Sequence, residues 1–133
     1  MQQPIVISGA GILGCYISCA LSLQGINSIV LEKKDDEVED SVRTITLNPF
    51  SKNLLDKIGI ENDYSMINKM EVKDFDGTGK IVFKSSEIGM DHLAYVSDFA
   101  TLLMAIRKKA SEKILYKEEI ININNKGDLN EVT

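Results

Sequence analysis

The chain has 133 residues, 44% hydrophobic and 26% charged, the make-up of one soluble domain or part of one, which excludes disordered, collagen-like and mucin-like classes. Fifteen Lys and Arg against 20 Asp and Glu leave a net charge of -5, which argues against a protein that reads a nucleic-acid backbone. The longest uninterrupted run of apolar side chains, Leu102 to Ile106, falls far short of the roughly 20 residues of a membrane-spanning helix. MQQPIVIS has neither the charged start nor the long apolar stretch of a secretory signal, so the expected location is cytoplasmic.

Pro4 to Ser8 (PIVIS) is a short, β-branched apolar run, which predicts a parallel strand buried on both faces and central in its sheet. GAGILG follows at Gly9 to Gly14, and the apolar pairs 12/13, 16/17 and 20/21 step every four residues, as on a helix. That helix should stop near Gln24, with Gly25 as its left-handed terminal residue, and SIVLE (Ser28 to Glu32) predicts a second buried strand. Residues 4–32 therefore form one βαβ unit. Cys15 and Cys19, four apart on one helix, suit neither a disulfide nor a zinc pattern and read as small packing residues.

KKDDEVED, Lys33 to Asp40, is a run of mixed charges expected in a solvated loop. Asn48 before Pro49 is a helix N-cap followed by a first-turn proline, and Phe50, Leu54, Leu55 and Ile58 share one face up to Gly59. Lys69 to Phe75 and Lys80 to Lys84 flank Asp76-Gly77-Thr78-Gly79, which predicts an antiparallel hairpin interrupting the parallel sheet. The single histidine, His92, is expected in a loop, with no metal cluster or nucleophilic triad around it.

Leu93 to Val96 predicts a short strand leading to Asp98 as an N-cap, after which Phe99, Leu102, Leu103, Ile106 and Ala110 mark the clearest amphipathic helix. Arg107, Lys108 and Lys109 fall in its last turn, where cations oppose the negative end of the helix dipole, so no ligand is needed to explain them. Lys113 to Tyr116 and Ile120 to Ile123 read as strands, followed by a turn at Asn124, Asn125, Lys126 and Gly127.

GxGxxG alone is weak evidence, but here it lies between a buried strand and a helix. Gly9 permits the tight turn, Gly11 lets a pyrophosphate approach the backbone, and Gly14 lets helix and strand pack closely. The backbone of Gly9, Ala10, Gly11, Ile12, Leu13 and Gly14, with the positive end of the helix, is the candidate phosphate cradle. Glu32, 23 residues beyond Gly9, closes the pattern, since a carboxylate there can accept both hydroxyls of an adenosine ribose. It would repel a 2′-phosphate, which leaves FAD or NAD. Lys33 is a further candidate for the cofactor, although it and Lys34 also read as part of the solvated charge run.

The run VISGAGILGCYISCALSLQGINSIVLEK resembles the start of the FAD-dependent aromatic hydroxylases of the para-hydroxybenzoate hydroxylase type. SVRTITLNPFSKNLLDKIGI, EVKDFDGTGKIVF and LAYVSDFATLLMAI resemble, in order and spacing, stretches of the ubiquinone-biosynthesis flavin hydroxylases. The resemblance implies a truncated α/β chain: residues 1–133 as the N-terminal part of a Rossmann-like FAD-binding domain with a parallel sheet and an antiparallel β insertion. It places Arg43 beside the pyrophosphate or flavin of FAD. It implies a monooxygenase in which NAD(P)H reduces FAD and O2 supplies an oxygen atom to an aromatic ring, here a polyprenylated phenol. Such a substrate would draw the enzyme to the inner membrane surface or into a ubiquinone-biosynthesis complex.

Two departures accompany this likeness. Phe99 stands where these enzymes carry a polar side chain near the flavin, and their later Asp-Gly and Gly-Asp motifs have no counterpart before Thr133. The chain alone is therefore expected to be inactive, and no catalytic residue is assigned. An NAD-dependent dehydrogenase fragment and a non-catalytic dinucleotide-binding module are the alternatives.

Overall fold

A computed structural model describes residues 3–40 and 42–133. Met1, Gln2 and Ser41, the last of which opens the SVRTITL segment, lie outside the described residues. The elements in chain order are β1 (Ile5–Ser8), α1 (Ile12–Leu23), β2 (Ser28–Glu32), β3 (Thr44–Leu47), α2 (Pro49–Lys57), β4 (Ser65–Ile67), β5 (Lys69–Lys73), β6 (Lys80–Lys84), β7 (Ala94–Asp98), α3 (Phe99–Lys109), β8 (Ile114–Tyr116), β9 (Ile123–Lys126) and β10 (Leu129–Val132). They fall into two compact units, one of Met1–Asp40 with Leu103–Thr133 and one of Ser41–Leu102.

The first unit contains a parallel sheet in the order β1-β2-β8. The expected βαβ unit is present, with β2 between β1 and β8 and its Ser28 and Val30 fully buried. Among the described residues β1 pairs with β2 alone, and Ile5 is 45% and Val6 37% exposed, where the sequence predicts a central strand buried on both faces. β-Branched side chains favour a pleated backbone, and that preference says nothing about how many neighbours the strand will have.

α1 ends as expected. Gly25 takes a φ of 72°, its N–H donates to the Ser22 carbonyl, and the Ile26 N–H donates to Leu21. α2 ends the same way, with Gly59 at 78°, Gly59 N–H to Asp56 and Ile60 N–H to Leu55. In both, glycine makes the left-handed turn without strain and the following isoleucine closes over the last carbonyls.

α1 is fastened to β2 by a buried hydrogen bond between the Ser18 and Ser28 hydroxyls, 2.8 Å apart. Ser18→Ala alone leaves the Ser28 hydroxyl without that partner and should cost about 1 to 3 kcal/mol, whereas the Ser18→Ala/Ser28→Ala double variant should cost less than the sum of the two singles. Urea melts of the three variants would measure this coupling.

At the far end of this unit the structure departs from the sequence expectation. Ile120 to Asn122 are not in a strand. β9 runs through Asn124 and Asn125 to Lys126, and the turn is Gly127-Asp128, leading into antiparallel β10. Asparagine-rich sequence suggests a turn locally, but the two-residue loop led by glycine sets the hairpin register.

In the second unit β3 and β4 flank β7 in an antiparallel sheet, and β5 pairs with β6 as the expected hairpin, closed by Asp74 N–H to the Gly79 carbonyl at 3.0 Å. Asn48 caps α2 by accepting from the Ser51 N–H at 2.7 Å, as read from the sequence. Leu55 and Ile58 are buried, but Phe50 is 68% exposed and does not join their face. Asp98 likewise accepts from the Thr101 N–H at 2.7 Å at the start of α3. No described helix is long and apolar enough to cross a membrane.

Candidate functional site

The glycine loop joins the C-terminal end of β1 to the start of α1, next to the end of β2. Gly9 has a φ of 97° and its N–H donates to the Leu31 carbonyl at 2.7 Å, so the loop begins hydrogen-bonded to the neighbouring strand. Gly11 is the N-cap of α1, and a side chain built there would meet nothing within 4 Å. The first bond of the helix runs from the Cys15 N–H to the Gly11 carbonyl, so the N–H groups of Ile12, Leu13 and Gly14 have no acceptor within the helix. With the helix dipole they make an anion-attracting end beside open space. Gly14 has the opposite surroundings: a Cβ there would lie 2.0 Å from the Gly9 carbonyl oxygen and 3.4 Å from Ile7 Cγ2.

Glu32 ends β2 beside this loop. Its Oε2 accepts from the Ala10 N–H at 2.9 Å and its Oε1 from the Lys34 N–H at 3.0 Å. Arg107 Nη2 lies 3.8 Å from Oε2, an ion pair beyond direct hydrogen-bond range. Partial burial raises the carboxyl's pKa, but the Lys34 and Ala10 N–H groups together with the Arg107 and Lys34 charges outweigh it and hold the group below the usual carboxylate range. Each carboxylate oxygen accepts one backbone N–H and keeps a further lone-pair site, so an ionised Glu32 can accept from two neighbouring hydroxyls. A ribose diol beside a helix N-terminus, with space above Gly11 for a pyrophosphate, is the ligand chemistry these groups fit.

The structure thus brings together Gly9, Ala10, Gly11, Ile12, Leu13, Gly14 and Glu32. Lys33 is exposed within the charge run. Arg43 belongs to the other unit, where its guanidinium stacks 4.1 Å above the Phe99 ring and its carbonyl accepts from the Phe99 N–H. The reading of Arg107 as a plain dipole-compensating cation is corrected. Only 13% exposed, it donates from Nε to the Ala10 carbonyl at 2.8 Å. Its place four residues after buried Leu103 and three before buried Ala110 was the available signal, since it lies at the margin of the apolar stripe. Tyr116 was also missed. It faces Glu32 in the β2–β8 register, and its ring centre is 5.7 Å from the Arg107 guanidinium.

Neither cysteine offers a nucleophile. Burial pushes the Cys15 thiol up to about 11 and raises Cys19 as well, so both stay protonated at neutral pH. His92 lies in a loop, hydrogen-bonded through Nδ1 to Asn68 Oδ1 and edge-on to Tyr95. Among the described residues no group of three or more His, Cys, Asp or Glu could hold a metal ion.

The family described as FAD binding domain matches residues 2–128. This chain belongs to that FAD-binding family. It is similar to the mitochondrial ubiquinone biosynthesis monooxygenase COQ6 of Danio rerio, with 26% identity over an alignment 137 positions long that covers 88% of this chain and 28% of that protein. Its fold is similar to that of p-nitrophenol 4-monooxygenase PnpA from Pseudomonas putida DLL-E4, with a TM-score of 0.78 and 17% identity over 98% of this chain and 35% of that one. It is also similar to Klebsiella pneumoniae HpxO, solved with FAD and uric acid, with a TM-score of 0.74 and 18% identity over 98% of this chain and 34% of that one. At these identities the structural likeness is one of fold. The chain spans about a third of the length of the proteins it matches.

Proposed function

We propose that this FAD-binding chain supplies the adenosine and pyrophosphate end of the cofactor site in a flavin-dependent monooxygenase, as the N-terminal part of its FAD-binding domain. The observation that carries the reading is the Glu32 carboxylate, held by two backbone N–H groups beside the open N-terminal end of α1. Glu32 accepts the ribose hydroxyls and the N–H groups of Ile12, Leu13 and Gly14 receive the pyrophosphate, while a role for Arg43 toward FAD rests on the family resemblance alone. Bound FAD would supply the redox chemistry, with NAD(P)H as the reductant and O2 as the oxidant, while the chain fixes one end of the cofactor.

The substrate of the whole enzyme is an aromatic ring, and the similarity to a ubiquinone biosynthesis monooxygenase favours a polyprenylated phenol. A prenyl tail of that kind would bring a cytoplasmic enzyme to the membrane surface peripherally, alone or within a ubiquinone-biosynthesis complex. The test is titration of the full chain with FAD, followed by flavin absorbance and calorimetry. Loss of charge-assisted hydrogen bonds to a ribose costs about 1.5 to 3 kcal/mol, so Glu32→Gln should weaken FAD roughly 10- to 100-fold. Equal affinity in the parent and the variant would remove Glu32 from the site.

A further inference from the structure

Arg107, Lys108 and Lys109 share the last turn of α3, where exposed cations suffice to oppose the helix dipole. Lys108 and Lys109 are exposed, but Arg107 is not. Burying a guanidinium is costly unless the site returns the lost hydration as hydrogen bonds and an opposing charge. Here Nε donates to the Ala10 carbonyl at 2.8 Å and Nη2 pairs with Glu32 Oε2 at 3.8 Å. The Ala10 N–H donates to that same Oε2 at 2.9 Å, so one peptide, one carboxylate and one guanidinium close a ring. The three members come from the glycine loop, the end of β2 and α3, with Arg107 97 positions after Ala10.

We propose that Arg107 is a positioning residue for the nucleotide end of the site, locking the Glu32 carboxylate to the Ala10 peptide so that its remaining acceptor sites face a ribose diol. This rests on the reading that Glu32 takes the ribose. Arg107 does its work through the ring, holding the loop carbonyl by a hydrogen bond from Nε and the carboxylate by the charge at Nη2. Lysine carries the same charge but has no Nε–H on a planar fork with which to hold the Ala10 carbonyl while its charge faces Glu32. Without Arg107 the buried Ala10 carbonyl loses this donor and Glu32 loses its ionic partner.

The charged and titratable groups facing Glu32 are Arg107 from α3, Lys34 on the following loop, Cys15 from α1 and Tyr116 from β8. Of these, Cys15 and Tyr116 are neutral at the pH values concerned, and Lys34 is unaltered by a change at position 107. A ribose diol needs the ionised carboxylate, so binding is lost as pH falls through the Glu32 midpoint. Removing Arg107 raises that midpoint and moves the loss to higher pH.

The experiment uses the full chain, with Arg107→Gln and Arg107→Lys beside the parent. ADP and FAD are titrated calorimetrically across pH 4 to 8, and the Glu32 side-chain carboxyl is followed by 13C NMR without ligand. We expect Arg107→Gln to weaken ADP about tenfold at neutral pH and to raise the Glu32 midpoint. Arg107→Lys should return the midpoint toward the parent while leaving affinity reduced, an outcome that a purely structural role would not produce. It also keeps the charge and apolar stem should the glutamine variant fold poorly. Parental midpoint and parental ADP affinity in a folded Arg107→Gln chain would overturn the proposal. If the parent binds neither FAD nor ADP while the midpoint still moves, the ribose assignment of Glu32 fails and the Arg107–Glu32 coupling stands.

Discussion

Gly14→Ala should destabilise the chain, although alanine is the better helix former. A methyl at this position would lie 2.0 Å from the Gly9 carbonyl oxygen and 3.2 Å from the Gly9 carbonyl carbon, both backbone atoms that cannot rotate away. Overpacking of this severity costs about 3 kcal/mol, and the gain in helix propensity returns about 1 kcal/mol, for a net loss near 2 kcal/mol. For a chain of this size that lowers Tm by about 8 °C, a shift a far-UV circular dichroism melt resolves easily. Because relief of the clash must move α1 away from the loop, FAD affinity should fall with stability. An unchanged Tm would mean that α1 does not pack against the end of β1 as described.

Gly11→Val should do the reverse, leaving the fold nearly intact while abolishing FAD binding. Nothing lies within 4 Å of a Cβ at Gly11, so the chain can accept the side chain without rearrangement. The fold loses only the difference between glycine and valine as an N-cap, about 1 kcal/mol. The added methyl groups would occupy open space at the N-terminal end of α1, where the pyrophosphate is proposed to sit. Affinity should therefore fall beyond the roughly 100-fold upper bound for Glu32→Gln, since the phosphates lose the helix end altogether. Calorimetry with FAD on a variant whose melt matches the parent would check this, and normal flavin retention would show that the GAGILG loop is not the phosphate cradle. The contrast between the two glycines separates folding from binding within one motif.

Much of the fold was legible because its signals are local. The step of apolar pairs after Gly11, the glycines that end α1 and α2, the caps at Asn48 and Asp98 and the turn between β5 and β6 each act within a few residues, so their chemistry appears directly in the sequence. The approach of Glu32 to the glycine loop was legible for a related reason. A strand, a tight turn, a helix and a second parallel strand bring the end of β2 beside the end of β1, whatever else surrounds them.

Other features depended on which surfaces meet, and those were decided only in three dimensions. The apolar run of β1 is compatible with a central or an edge strand, and among the described residues it pairs with β2 alone, β2 pairing in turn with β8. Phe50 has the right spacing for the buried face of α2, yet it remains in solvent because burial requires an opposing surface as well as a helical period. Arg107 is the plainest case. By itself the sequence determined that a cation ends α3, but the tertiary structure decided that it faces the Ala10 carbonyl and Glu32 instead of water. Backbone hydrogen bonding and side-chain period act over a few residues and leave a written pattern, whereas this pairing arises from packing segments 97 residues apart.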